Sequence, residues 1–181
     1  MMKSIRGLSG QLTAASRSGL VRGLNTPGGP DPGHLEFMQK MYAKAPINGL
    51  FNEHIIDYEH IIDYDEEGNT TIRFTPKGIH CHTMMSLHGS GYFKLLDDAA
   101  FFAAQAQDSE NFIFTTSFNT YMVRPVVPGT PLVSKGRVTN ASKSLIIAEA
   151  RLEEEATGKL VGSASGTFQK SPHLLSRLGD I

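Results

Sequence analysis

The apolar positions of the chain change period three times. Leu35, Phe37, Met38, Met41 and Tyr42 recur at near-helical spacing, which predicts a short amphipathic helix ending before Pro46. Next, Glu53-His54-Ile55-Ile56-Asp57-Tyr58 is repeated at once as Glu59-His60-Ile61-Ile62-Asp63-Tyr64. Two copies are too few for a solenoid. Their β-branched and aromatic content predicts a strand, with a turn over 65–69 and a second strand from Thr70 to Thr75. From Gly91 to Gln107 the helical period returns, and Leu95, Leu96, Ala99, Ala100, Phe102, Ala103 and Ala106 cover most of the circumference. A helix apolar nearly all round is a buried one. After it the residues 112–124, 132–140, 144–154 and 159–169 read as strands, separated by Pro- and Gly-containing turns. A hairpin, one buried helix and four consecutive antiparallel strands predict an α+β fold in which the sheet wraps around a central helix.

The first thirty residues stand apart from this pattern. From Met1 to Pro30 there is no Asp or Glu, while Lys3, Arg6, Arg17 and Arg22 are basic and Ser and Ala fill the intervals. An acid-free, Arg- and Ser-containing amphipathic start is the pattern of an organellar transit peptide; a tail that happens to lack acids is the alternative. Thr26-Pro27-Gly28-Gly29-Pro30-Asp31-Pro32-Gly33 then breaks any regular structure. The expected organisation is an extension and linker over 1–33, one domain over 34–171 and a tail over 172–181. Targeting to the mitochondrial matrix is the expectation that follows, with a mature chain beginning between Gly23 and Gly33.

Composition narrows the function classes. A chain of 181 residues has room for one well-buried domain. A net charge of -1 gives no overall field that favours nucleic acid. The single cysteine, Cys81, cannot form an internal disulfide. No apolar run reaches the roughly 18 residues of a membrane span.

The segment Leu87-His88-Gly89-Ser90-Gly91-Tyr92-Phe93-Lys94-Leu95-Leu96-Asp97-Asp98-Ala99 resembles the signature of the hotdog-fold acyl-CoA thioesterases, in particular the phenylacetate-pathway and small mitochondrial branch. There a His-Gly-Gly turn opens the central helix and an acidic residue follows nine positions after the His, where Asp97 stands. Thr115 to Pro125 is similar to the family's strand ending in Arg-Pro, and Pro128-Gly129-Thr130 to its turn; the likeness covers roughly 85–170. The resemblance implies hydrolysis of an acyl-CoA thioester by a homodimer or dimer of dimers, with no cofactor and the substrate at the dimer interface. His88, Gly89 and Ser90 would form the helix-opening turn whose backbone N–H groups polarise the thioester carbonyl. Asp97 would act as base or nucleophile and Thr115 would position water. Asn119 falls on the same strand as a substrate-binding position. For His88 the structural alternative is a turn residue whose ring bonds the backbone; for Asp97 it is a carboxylate reaching solvent or a partner. Asp98 should leave the helix about 100° away from Asp97.

Three positions depart from the family pattern. His82 stands where the family has an Asn that helps hold substrate or water, Met85 where it has a small Gly, and Ser90 where it has the second Gly of the turn. The imidazole of His82 can still donate a hydrogen bond to substrate. Among Arg124, Lys135, Arg137 and Lys143, the expected contacts for the CoA phosphates are Arg124 and Lys143. His80, Cys81, His82 and His88 do not make a closed ligand set for a metal. These departures keep a second role open, that of a non-catalytic acyl-binding or structural subunit of a mitochondrial assembly.

Overall fold

The computed structural model describes residues 30–51 and 62–178. The acid-free N-terminal segment and most of the hexapeptide repeat lie outside them. Three α-helices and six strands follow in the order α1 (Pro32–Lys44), α2 (Asn48–Phe51), β1 (Ile62–Tyr64), β2 (Thr70–Phe74), α3 (Gly89–Gln105), β3 (Asn111–Met122), β4 (Leu132–Ala141), β5 (Leu145–Glu154) and β6 (Leu160–Leu174). The strands form one antiparallel sheet in the order β1-β2-β4-β5-β6-β3, so β3 is an edge.

α3 packs across this sheet. Leu95, Leu96, Ala99, Ala100, Ala103 and Ala104 are buried, against Ile113, Ile146, Ala148, Ala150, Leu152, Val161 and Phe168 of the strands. The small residues of the helix let it lie low. At Gly136 of β4 an added Cβ would stand 2.0 Å from the carbonyl oxygen of Ala99, and the Thr70 hydroxyl donates to that same oxygen at 2.6 Å. α1 lies against another part of α3, near Phe102 and Gln105. Asp31 caps α1 by accepting from the His34 N–H at 3.1 Å, and Pro32 supplies the preset φ of a first turn. The buried positions His34, Met38 and Tyr42 then repeat every four residues along one stripe. His34 bonds the Gln105 carbonyl at 3.0 Å, while Tyr42 meets Phe102 edge-on at 5.2 Å, so the two helices run antiparallel.

Two element ends differ from the pattern-based expectation. α3 starts at Gly89, two residues before Gly91, because His88 supplies a side-chain cap. β6 continues past Gln169 to Leu174, and Leu175 is buried, so the residues expected to form a tail from 172 begin inside the fold.

Candidate active site

The site begins at the N-terminus of α3, where backbone donors are left over by the geometry of a helix. Leu87 donates its N–H to Val126 and His88 to His80, at 2.8 and 2.9 Å. Ser90 donates to Nδ1 of His88 at 3.1 Å, and Gly91 to the His88 carbonyl at 2.8 Å. The N–H of Gly89, between them, has no acceptor among the described residues. Residue 89 is also closely approached: a Cβ there would lie 3.3 Å from the Met122 methyl at the end of β3. His88 is the cap of this helix. Its Nδ1 accepts from Ser90, which leaves the proton of the neutral ring on Nε2, and the Ser90 hydroxyl lies 2.8 Å from the same nitrogen. The side chain that Ser90 adds to the turn is thereby used to fix His88.

Two turns further along α3 lies Asp97, half-buried, accepting from the Thr115 hydroxyl at 3.3 Å. Phe93 and Phe101 stand one turn before and after it on the same helix face. Across from them, Phe118 meets Phe93 at 5.3 Å and Phe112 meets Phe101 at 5.8 Å. Burial among these groups pushes the Asp97 carboxyl up to about 6, and the neighbouring Asp98 adds to the rise; the Thr115 hydroxyl and Lys94 oppose it. The aromatic frame was not read from the sequence, although the spacing of 93, 97 and 101 by four was available to show it.

Asp98 leaves the helix in another direction, as expected, and enters a separate cluster. It pairs with Lys94, whose ammonium also donates to Asn48 of α2 at 2.7 Å and lies 5.4 Å from the centre of the Tyr42 ring. Burial holds the Asp98 carboxyl above its ordinary value in spite of Lys94 and the Tyr42 hydroxyl.

The other expected site residues are dispersed. Asn119 pairs with Ser165 of β6 on the sheet face away from α3. Its neighbours Phe118 and Thr120 point inward, because a bulge at Thr116 shifts the alternation that would have carried Asn119 to the side of Thr115. Arg124 is exposed just beyond β3, with its carbonyl accepting from the Tyr92 hydroxyl at 2.7 Å. Lys143 is exposed in the β4–β5 turn at the other end of the sheet. In register, that end aligns with Phe114, about 27 Å along β3 from Met122. One chain therefore does not bring Arg124 and Lys143 to one ligand.

The loop before α3 holds the remaining departures. His82 is exposed, and its Nδ1 accepts from the Met84 N–H at 3.1 Å, closing its own turn. Met85 has φ 54°, a left-handed conformation that a glycine adopts freely and a methionine does not. This explains why a Gly belongs at the position in the family signature. Met85→Gly is expected to raise unfolding stability by about 1 kcal/mol, read by denaturant titration; an unchanged or lower midpoint would mean that the methionine side chain offsets the strain. His80 is occupied structurally, stacked on Phe51 at 5.8 Å and accepting from the Lys77 N–H. Among the described residues no cluster of three or more His, Cys, Asp and Glu could hold a metal. Nor is any described helix long and apolar enough to cross a membrane.

Comparison with known proteins agrees with the fold. The model of the thioesterase superfamily matches residues 84–161, a span running from the capped turn through Asp97 and Thr115 to β6. No curated protein matches the chain. Among solved structures, the Escherichia coli PaaI protein of the phenylacetic acid degradation operon superposes with a TM-score of 0.66 at 17% identity, covering 78% of this chain and 95% of that one. Zebrafish thioesterase superfamily member 2 gives 0.61 at 15% identity, over 76% of this chain and 96% of its own. A hypothetical thioesterase from Streptococcus pneumoniae, solved with coenzyme A, gives 0.56 at 14% identity, over 61% and 84%. With the sheet and the central helix in agreement with these structures, the chain has the hotdog fold, and its residues 84–161 are similar to the thioesterase superfamily.

Proposed function

We propose that this protein hydrolyses acyl-CoA thioesters to free acid and CoA in the mitochondrial matrix, as a homodimer or a dimer of dimers. The observation that carries the reading is Asp97: a half-buried carboxylate in an aromatic frame, held by one hydroxyl and poised near neutrality. The match of residues 84–161 to the thioesterase superfamily model supports thioester hydrolysis in general, and the coenzyme A in the similar streptococcal structure supports the leaving group. The N-terminal composition supports the location.

In this reading the open N–H of Gly89, backed by the positive end of α3, donates to the thioester carbonyl oxygen and to the oxyanion that develops there. Asp97 takes a proton from water oriented by Thr115 as the water oxygen bonds to the carbonyl carbon. Alternatively its own oxygen attacks to give an anhydride that water then opens. Collapse breaks the C–S bond, and a proton passes to the departing thiolate. Arg124 of one chain and Lys143 of another would face the CoA phosphates.

Helix geometry supports two copies per site. Gly89 and Asp97 are eight residues apart on a straight helix, about 12 Å. A carbonyl held at one cannot be attacked from the other in the same chain. A two-fold neighbour with its α3 antiparallel brings Gly89 of one copy to Asp97 of the other, and β3 is the long unpaired edge through which two such sheets join. Light scattering at micromolar concentration is expected to give twice or four times the 19.7 kDa chain mass, and a monomer would refute the composite site.

One observation favours a second reading. His82 spends its Nδ1 on its own turn and Met85 fills the place of a small residue, which suits an acyl-binding or structural subunit of a mitochondrial assembly. A thiol-release assay against acyl-CoAs of graded length decides between them: turnover with any chain supports the hydrolase, and binding without release supports the subunit.

A further inference from the structure

Beside the N-terminus of α3, the β2–α3 and β3–β4 connections are tied together by backbone bonds. His88 donates to His80, Leu87 to Val126 and Gly129 to Pro76, at 2.9, 2.8 and 2.8 Å. From these loops, single apolar side chains project into solvent: Ile79 is 69% exposed, Met84 82% and Val127 61%. They are tips on loops, not the flat edge of β3 where a second copy would pair. The backbone keeps Met84 and Met85 outside at a cost, since the turn carrying them has a non-glycine residue at φ 54°.

The loops that carry the tips contain no acidic residue. There is no Asp or Glu from Gly68 to Leu96 or from Asn111 to Ala148, and Lys77 and Arg124 are exposed beside the loops. The same end of the sheet carries Glu154 and Glu155 on the β5–β6 turn; Glu155 is paired with Arg73, and Glu154 accepts from Thr157. Protruding apolar tips in a cationic, acid-poor surround match the two-part chemistry of a bilayer surface, an apolar boundary under anionic headgroups. The net charge of the whole chain does not create this field; its local distribution does.

We infer that this end of the molecule docks peripherally on an anionic lipid surface, with Ile79, Met84 and Val127 entering the acyl boundary and Lys77 meeting the headgroups.

The test is sedimentation of the full chain with vesicles of phosphatidylcholine alone or of phosphatidylcholine carrying phosphatidylglycerol, with the solution mass of each variant measured in parallel. The wild type is expected to bind the anionic vesicles and to be released by salt. Met84→Glu should lower the partition coefficient at least tenfold, Met84→Gln by less, and Lys77→Glu should act on anionic vesicles only, all at unchanged mass. The basic N-terminal segment is common to every variant, so differences among them belong to the loops. Absence of wild-type binding would overturn the proposal. So would wild-type binding by the Ile79→Glu, Met84→Glu double variant, or a change of mass accompanying the loss, which would assign the tips to a contact between copies. The readout is independent of turnover, so it fails separately from the hydrolase reading.

Discussion

Asp97→Asn is expected to lower thioester turnover by roughly a hundredfold or more while making the protein more stable. Both effects come from the same burial. In the folded protein the carboxyl titrates at about 6, above its ordinary 3.8, chiefly because ionisation is penalised among the surrounding side chains. A group that binds its proton more tightly when folded lends stability below its unfolded pKa and loses it as the pH rises through the folded value. Between pH 3.8 and about 6 the fold therefore gives up an increment of about 3 kcal/mol. Asparagine carries no charge and keeps an oxygen for the Thr115 hydroxyl, so at pH 7 the variant should recover about 2 kcal/mol of it. It cannot take a proton from water or attack a carbonyl carbon. The wild-type kcat/KM should fall on the acid side with a midpoint near 6, the range in which Asp97 loses its negative charge. Thr115→Ala should cost less turnover, since it orients water without accepting its proton. Asp98→Asn is the control: it leaves Lys94 buried without its carboxylate and should act on stability, not on chemistry. Unchanged turnover in Asp97→Asn would show that the catalytic carboxylate is elsewhere, and a fall in stability would show that Asp97 is held by a partner in the assembly.

What the sequence reveals about such a site depends on which dimension the information occupies. α3 was legible because its apolar residues leave almost no polar stripe, and the strands after it because turn residues separate them. Its first turn was not, since an imidazole is not among the usual capping side chains and His88 caps through a ring nitrogen. β6 runs beyond the Gln169 expected from the pattern and continues through Pro172. In the fold, β5 pairs no further than Gln169, and the β3 ladder is irregular between Asn111 and Ile113, so a missing N–H costs little there. The resemblance named Asp97 and Thr115, which the structure brings within 3.3 Å, and the turn of Gly89, each a matter of position along one element. It did not place Asn119, because one extra residue at Thr116 reverses which face the following side chains take. Nor could spacing along the chain show that Lys143 and Arg124 lie at opposite ends of the sheet. That separation is a property of strand register.

Gly136→Ala is expected to be among the most damaging single-methyl changes available to the fold. Gly136 lies in β4, paired with Thr70 on one side and Ala150 on the other, directly under Ala99 of α3. An added Cβ would stand 2.0 Å from the Ala99 oxygen, 2.3 Å from its carbon and 2.6 Å from the Thr70 hydroxyl. The Ala99 atoms are backbone of the helix and the hydroxyl is fixed by its bond to Ala99, so no flexible side chain can yield. The helix must rise, and that opens space around the small residues packed along it. The expected loss is about 3 kcal/mol, a large share of the roughly 5–15 kcal/mol that holds such a domain together. In a thermal melt this is a drop of about 10 °C. Gly49→Ala, where an added Cβ meets nothing within 4 Å, should shift the midpoint little. Because α3 carries both Gly89 and Asp97, the lift also displaces the proposed carbonyl donor and carboxylate from the proposed two-copy site, and a displacement of about 1 Å is enough to cost about a hundredfold in rate. The variant should then lose activity at temperatures where it is still folded. A melt within a degree or two of wild type would show that the sheet can flatten under the helix, and that the close approach at Gly136 does not fix the height of α3.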